Sequence, residues 1–166
     1  MSTIGIAINM LDDFEKVKSL CVNLLEHGFK LVLRPHPRYG ALDTAWLAEK
    51  GISFSNPKAE NSFDFISKID LMVSNESAIH LDSALMRCPS VVYNFSNNPI
   101  LDYYSYIKSG LVKVANDEHQ LLEMTADPAA LLPTDKTLQF YNASCGTASE
   151  GHLGEVLAQT IKKLCT

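Results

Sequence analysis

Residues 69–95 read IDLMVSNESAIHLDSALMRCPSVVYNF, and this stretch decides the fold. The short apolar run 70–73 predicts a buried strand, Ser74-Asn75 a cap, 76 to about 87 a helix, and 90–95 a second strand opened by Pro89. Both strand segments are continuous apolar runs rather than alternating ones. That is the signature of parallel strands covered on two faces. The same unit recurs on either side. Residues 3–10 (TIGIAINM) predict a strand, Asp12 or Asp13 a cap, and Phe14, Val17, Leu20, Cys21, Leu24 and Leu25 a helix closed by His27-Gly28. Residues 29–33 predict a strand ending at the turn Arg34-Pro35-His36-Pro37, followed by a helix over 42–50, a strand over 52–55 and a helix over 62–69. Further on, the pattern predicts a helix over 101–109 stopped by Gly110, a strand over 111–115 and helices over 117–124 and about 151–164. The region 127–151 is the least regular and reads as a surface excursion.

Strands alternating with helices in this way predict an α/β fold, a three-layer doubly wound domain on a six-stranded parallel sheet in the order 3-2-1-4-5-6. The whole chain, 1–166, reads as one such domain.

The 166 residues carry 14 basic and 19 acidic side chains, a net charge of −5, with 46% apolar residues. A chain of this size buries about two-thirds of its unfolded surface. Its acidity argues against a broad surface for nucleic acid or anionic lipid. No apolar run approaches the roughly 18 residues that a membrane span needs. The N-terminus lacks the pattern of a secretory signal. Cys21, Cys88, Cys145 and Cys165 are scattered without metal-binding spacing, so they read as free thiols in a reducing cytoplasm. No metal site is expected.

In doubly wound sheets, ligands bind beyond the carboxyl ends of the strands, where the strand order reverses. That rule selects residues 9–12, 34–38, 55–57, 74–77 and 94–98. Two of these segments are chemically rich. In Arg34-Pro35-His36-Pro37-Arg38, two prolines hold an imidazole on a stiff turn, and the arginines suit an anion such as phosphate. The plainer reading is a polar turn whose histidine satisfies a backbone carbonyl. In Ser74-Asn75-Glu76-Ser77, hydroxyls and backbone N–H groups at a helix start suit a phosphate. Capping by Ser74 or Asn75 is the plainer alternative. Glu76 suits ribose hydroxyls, and Asp82 reads as solvated or capping. His80 and His119 read as surface or interface residues, and Tyr103, Tyr104 and Tyr106 as groove-lining or packed beneath the sheet edge. The signatures HExxH, GxSxG, GxxxxGK[ST] and GxGxxG are absent from the sequence.

The segments LVLRPHP (31–37), IDLMVSNESAIHLDSAL (69–85) and PSVVYNF (89–95), with the tail FYNASCGTASEGHLGEVLAQTI (140–161), resemble the C-terminal half of GT-B-fold glycosyltransferases. The groups most similar build bacterial surface polysaccharides and include CDP-glycerol glycerophosphotransferase-like and sialyltransferase-like families. The resemblance implies a Rossmann-like half-domain that binds a nucleotide-activated sugar of the CMP, CDP or UDP type as donor substrate, with no cofactor. It implies that His36 assists departure of the nucleotide and that Ser77 bonds a phosphate oxygen, in a donor site drawn from Arg34, His36, Arg38, Ser74, Asn75, Glu76 and Ser77. Where the glycerophosphotransferase pattern has Asp-Tyr-Ser-Ser, this chain has Asn75-Glu76-Ser77-Ala78 and lacks the second hydroxyl. Asp82 matches an acidic position of that pattern. The resemblance also implies a partner, an N-terminal Rossmann-like half or a separate chain, supplying the acceptor site. Two alternatives stand beside it: a UDP-N-acetylglucosamine 2-epimerase-like isomerase, and a non-catalytic partner-binding domain.

Overall fold

The computed structural model describes residues 2–165, which fall into two compact units that divide between Leu132 and Pro133. The first unit holds the sheet. Its strands are β1 (Thr3–Ile8), β2 (Lys30–Pro35), β3 (Ser53–Phe54), β4 (Leu71–Ser74), β5 (Ser90–Tyr93) and β6 (Lys113–Ala115). All pairings are parallel and the order is β3-β2-β1-β4-β5-β6, the predicted sheet. The order reverses between β1 and β4. The helices are α1 (Phe14–Glu26), α2 (Thr44–Glu49), α3 (Ser62–Ile66), α4 (Ile79–Leu85) and α5 (Glu118–Thr125), with a 3-10 turn at Pro128–Leu131.

Alternation along the strands assigns the two faces. Ile4, Ile6 and Ile8 of β1, Leu31 and Leu33 of β2, and Leu71 and Val73 of β4 join Val17, Leu20 and Leu24 of α1, Leu47 of α2 and Leu121 of α5 in one buried cluster. The intervening residues Ala7 and Met72 face the other way, onto Phe65 and Ile66 of α3, with Ile69 and Ile79. Each fully buried side chain of this size contributes roughly 1.5–3 kcal/mol. Gly5 sits where α3 comes closest: a Cβ there would lie 2.4 Å from Ile69 Cδ1 and 2.9 Å from Phe65 Cζ.

The caps follow ordinary chemistry. Asp13, Asp43, Asn61 and Asp117 begin α1, α2, α3 and α5 by accepting a backbone N–H of the first turn. Three expectations are corrected. The helix expected from 76 begins only at Ile79 and spans seven residues, and its N-cap, Ala78, makes no side-chain cap. Ser74 and Asn75 do not cap it, because their side chains are spent elsewhere: Ser74 Oγ donates to Ala7 O (2.7 Å), and Asn75 Oδ1 accepts from Glu76 N (2.8 Å). No helix forms over 101–109. There Asp102 and Ser105 take left-handed backbone (φ 51° and 56°), and the Asp102 carboxylate draws in the amides of Ile107 (3.0 Å) and Lys108 (2.9 Å). A side chain that satisfies local amides competes with helix formation. The strand expected to 95 stops at Tyr93, where Asn94 Oδ1 accepts from both Ser96 N and Ser96 Oγ (2.9 Å each).

The second unit contains α6 (Asp135–Tyr141) and α7 (Leu153–Leu164). Thr134 caps α6, a helix inside the region expected to be irregular. Helix α7 keeps Leu153, Leu157, Ile161 and Leu164 exposed. Among the described residues no helix is long and apolar enough to cross a membrane, and no cluster of His, Cys, Asp and Glu could hold a metal ion.

Candidate functional site

Two clefts open at the carboxyl ends of β1, β2, β4 and β5, around the reversal of strand order. The smaller, about 270 Å³, is lined by Arg34, His36, Ser62, Ser77 and Asp82 among others. The larger, about 410 Å³, is lined by Asp12, Asn75, Glu76, Ser96 and Asn98 with apolar neighbours. Asn9 and His36 line both, so the clefts meet at these two residues.

His36 is placed by its backbone. Strand β2 runs through Pro35 in register with Ile8 of β1, and the pairing is prolonged by His36 N–H donating to Ile8 O (2.8 Å). The His36 carbonyl accepts from Tyr39 N–H (2.8 Å), and its ring Nδ1 accepts from Arg38 N–H (3.1 Å). An accepting Nδ1 leaves Nε2 to carry the proton of the neutral ring, which makes it a donor. The imidazole is half-buried, with its tautomer fixed by its own turn.

The flanking arginines divide. Arg34 is buried, and its guanidinium donates to Ser55 Oγ (2.8 Å) and Glu60 O (2.9 Å) and lies over the Phe65 ring (5.4 Å). Ser55 Oγ in turn donates to Glu60 Oε2 (2.5 Å), and Lys68 Nζ bonds Glu60 Oε1. These partners hold the Glu60 carboxyl below its ordinary range, Lys68 and Ser55 being the main causes. Arg34 therefore braces the turn from behind while edging the smaller cleft. Arg38 is exposed and lines neither cleft; its backbone N–H serves His36.

The second segment divides likewise. Ser74 is fully buried, so its hydroxyl stitches β4 to β1 and is out of a ligand's reach. Ser77 is half-buried and lines the smaller cleft with His36, and its Oγ meets Ile79 N only at 3.5 Å. Asp82 edges the same cleft. Asn75 bridges strand ends: its Nδ2 donates to Asp12 Oδ1 (2.9 Å) and Asn94 Oδ1 (3.4 Å). Asp12, buried in the β1–α1 loop, also accepts from Asn9 N–H (2.7 Å). Burial pushes its carboxyl above the ordinary range, opposed by those hydrogen bonds from Asn9 and Asn75. The Glu76 carboxylate accepts from the backbone amides of Leu101 and Tyr103 (2.6 Å each), so it clasps the loop after β5.

Sequence reasoning missed the roles of four residues. Asp12, singled out by its chemistry only as a possible cap although the strand-end rule selected its segment, is a cleft-lining carboxylate. Ser96 and Asn98 lie in a segment that the strand-end rule selected but residue chemistry did not single out. His80, expected at a surface or interface, is fully buried behind the Asn75 turn, with Nε2 3.0 Å from Asn75 O.

The sheet order and the crevice at its reversal define a doubly wound, Rossmann-like domain. No family model matches the chain, and no curated protein matches it. Solved structures do. The glycosyltransferase of kitacinnamycin superposes on 84% of this chain and 38% of its own, with a TM-score of 0.52 and 15% identity. A protein from Listeria monocytogenes assigned as a UDP-N-acetylglucosamine 2-epimerase gives 78%, 36%, 0.47 and 16%; the wall teichoic acid polymerase TagF gives 99%, 42%, 0.44 and 15%. At this identity the first likeness is one of fold. The chain spans 36–42% of the length of these three proteins.

Proposed function

We propose that this chain is the donor domain of a glycosyltransferase of surface polysaccharide assembly, binding a nucleotide-activated sugar and working with a second Rossmann-like half that carries the acceptor. The observation supporting this is the meeting of His36 and Ser77 on one cleft where strand order reverses. A donor Nε2–H and a hydroxyl there suit the oxygens of a diphosphate. They would stabilise the charge that develops as the nucleoside phosphate leaves, by the kind of preorganised donation that dominates much enzyme catalysis. Arg34, with two of its five donors given to Ser55 and Glu60, steadies the turn and leaves its positive charge at the edge of the same cleft.

Titration calorimetry of the chain with CDP, CMP and UDP tests the reading. One of the three is expected to bind, with affinity lowered at least tenfold (about 1.4 kcal/mol) in His36→Ala and measurably in Ser77→Ala. No binding of any of the three at millimolar concentration would overturn it.

A further inference from the structure

The two clefts differ in charge. The larger carries two carboxylates, Asp12 and Glu76, and its lining residues include no lysine or arginine. Both carboxylates are fixed as acceptors by backbone and amide N–H groups. Lys16 stands at the edge of this wall, its ammonium donating to the Ser96 carbonyl (2.9 Å). The smaller cleft has Arg34 beside Asp82, and His36 stands where the two clefts meet. An anion entering the larger cleft would meet two like charges in a partly desolvated space, where Coulomb interactions are several-fold stronger than in water. Hydroxyl groups, by contrast, can donate to the remaining lone pairs of Asp12 and Glu76 and to Asn98, while the carbon face of a ring lies on Leu11 and Leu101.

We infer that the larger cleft takes an uncharged, hydroxyl-bearing ring and rejects an acidic one. This rests on the donor-site reading above and orients the ligand: phosphates in the smaller cleft, the neutral ring in the larger, and the bond between them at His36. The substrate class is then a nucleotide carrying a neutral sugar, not one carrying a sugar acid.

UDP, UDP-glucose and UDP-glucuronic acid, titrated into the full chain at low ionic strength, separate the possibilities, since the two sugars differ by a carboxylate. UDP-glucuronic acid is expected to bind at least fivefold more weakly than UDP-glucose, with the gap shrinking in high salt as screening grows. Leu11→Lys, at a site 77% exposed and therefore tolerant, places a cation at the rim and is expected to bring the two ligands to parity. If UDP binds and the two sugar nucleotides bind alike, or if Leu11→Lys leaves the gap intact, this inference falls and the donor site stands. If UDP does not bind but CMP or CDP does, the donor site stands and the larger-cleft assignment is read instead from neutral and acidic sugars on that nucleotide; if none of the three binds, both fall.

Discussion

At position 80 a histidine is enclosed completely, its Nε2 meeting the Asn75 carbonyl and its Nδ1 without a partner among the described residues. Burial lowers its pKa to about 4, against the carbonyls of Asn75 and Ser74, which favour the charged form. The folded value lies below the unfolded one, near 6.5, so between these values the unfolded chain binds more protons. The stability this residue supplies is therefore full above about pH 6.5 and drains away as pH falls toward 4, by at most about 1.4 kcal/mol per pH unit. Urea melts of wild type and His80→Gln are expected to show a gap at pH 7 that narrows steadily to pH 4.5; a gap constant with pH would refute this. The two serines of the turn make a second contrast. Ser74→Ala deletes a buried hydrogen bond and is expected to cost about 1 kcal/mol in the same melts without changing nucleotide affinity. Ser77→Ala should do the reverse. Equal effects of the two variants on affinity would show that burial does not separate their roles.

Among the elements, β1 is the most constrained. It pairs on both sides, and Gly5 leaves room for Ile69 and Phe65. Gly5→Ala is expected to destabilise the fold by about 1–3 kcal/mol through overpacking, checked by chemical denaturation. The loop after β5 depends on a different element. Glu76 holds the Leu101 and Tyr103 amides on either side of the left-handed Asp102. Glu76→Ala is expected to speed hydrogen exchange at both amides while β5 stays protected; unchanged exchange would mean that the clasp does not order the loop. These elements also mark where the sequence was readable. The strands and their order follow from apolar runs spaced by helical patterns, and residue chemistry narrowed the cap of α1 to Asp12 or Asp13, of which the structure uses Asp13. The late start of α4 was not legible, because Asn75 and Glu76 chose partners far along the chain, and the turns at 101–109 depend on Asp102 taking amides five and six residues on rather than yielding to a helix. The same limit governs the site. The placement of His36 and Ser77 on one cleft follows from the proline-bounded turn and the strand end, whereas the bonds of Arg34 to Ser55 and Glu60, over twenty residues away, could not be read locally.

For the molecule as a whole, the four thiols divide by depth. Cys21, Cys88 and Cys145 are buried and Cys165 is exposed. Burial pushes Cys21 up to about 12 and raises Cys88 as well. Since the thiolate is the reactive form, a disulfide-exchange reagent is expected to titrate one thiol promptly in the native chain and four in denaturant. Three or more prompt thiols would contradict the packing described.

The sheet's outermost members are its shortest, with two residues in β3 and three in β6. An open sheet exposes unpaired backbone groups along its flanks, and long flanks recruit strands from neighbouring molecules. Here the flanks are cut back almost to nothing. Six parallel strands are thus carried with little template for intermolecular strand addition, which favours recovery of the chain from concentrated solution.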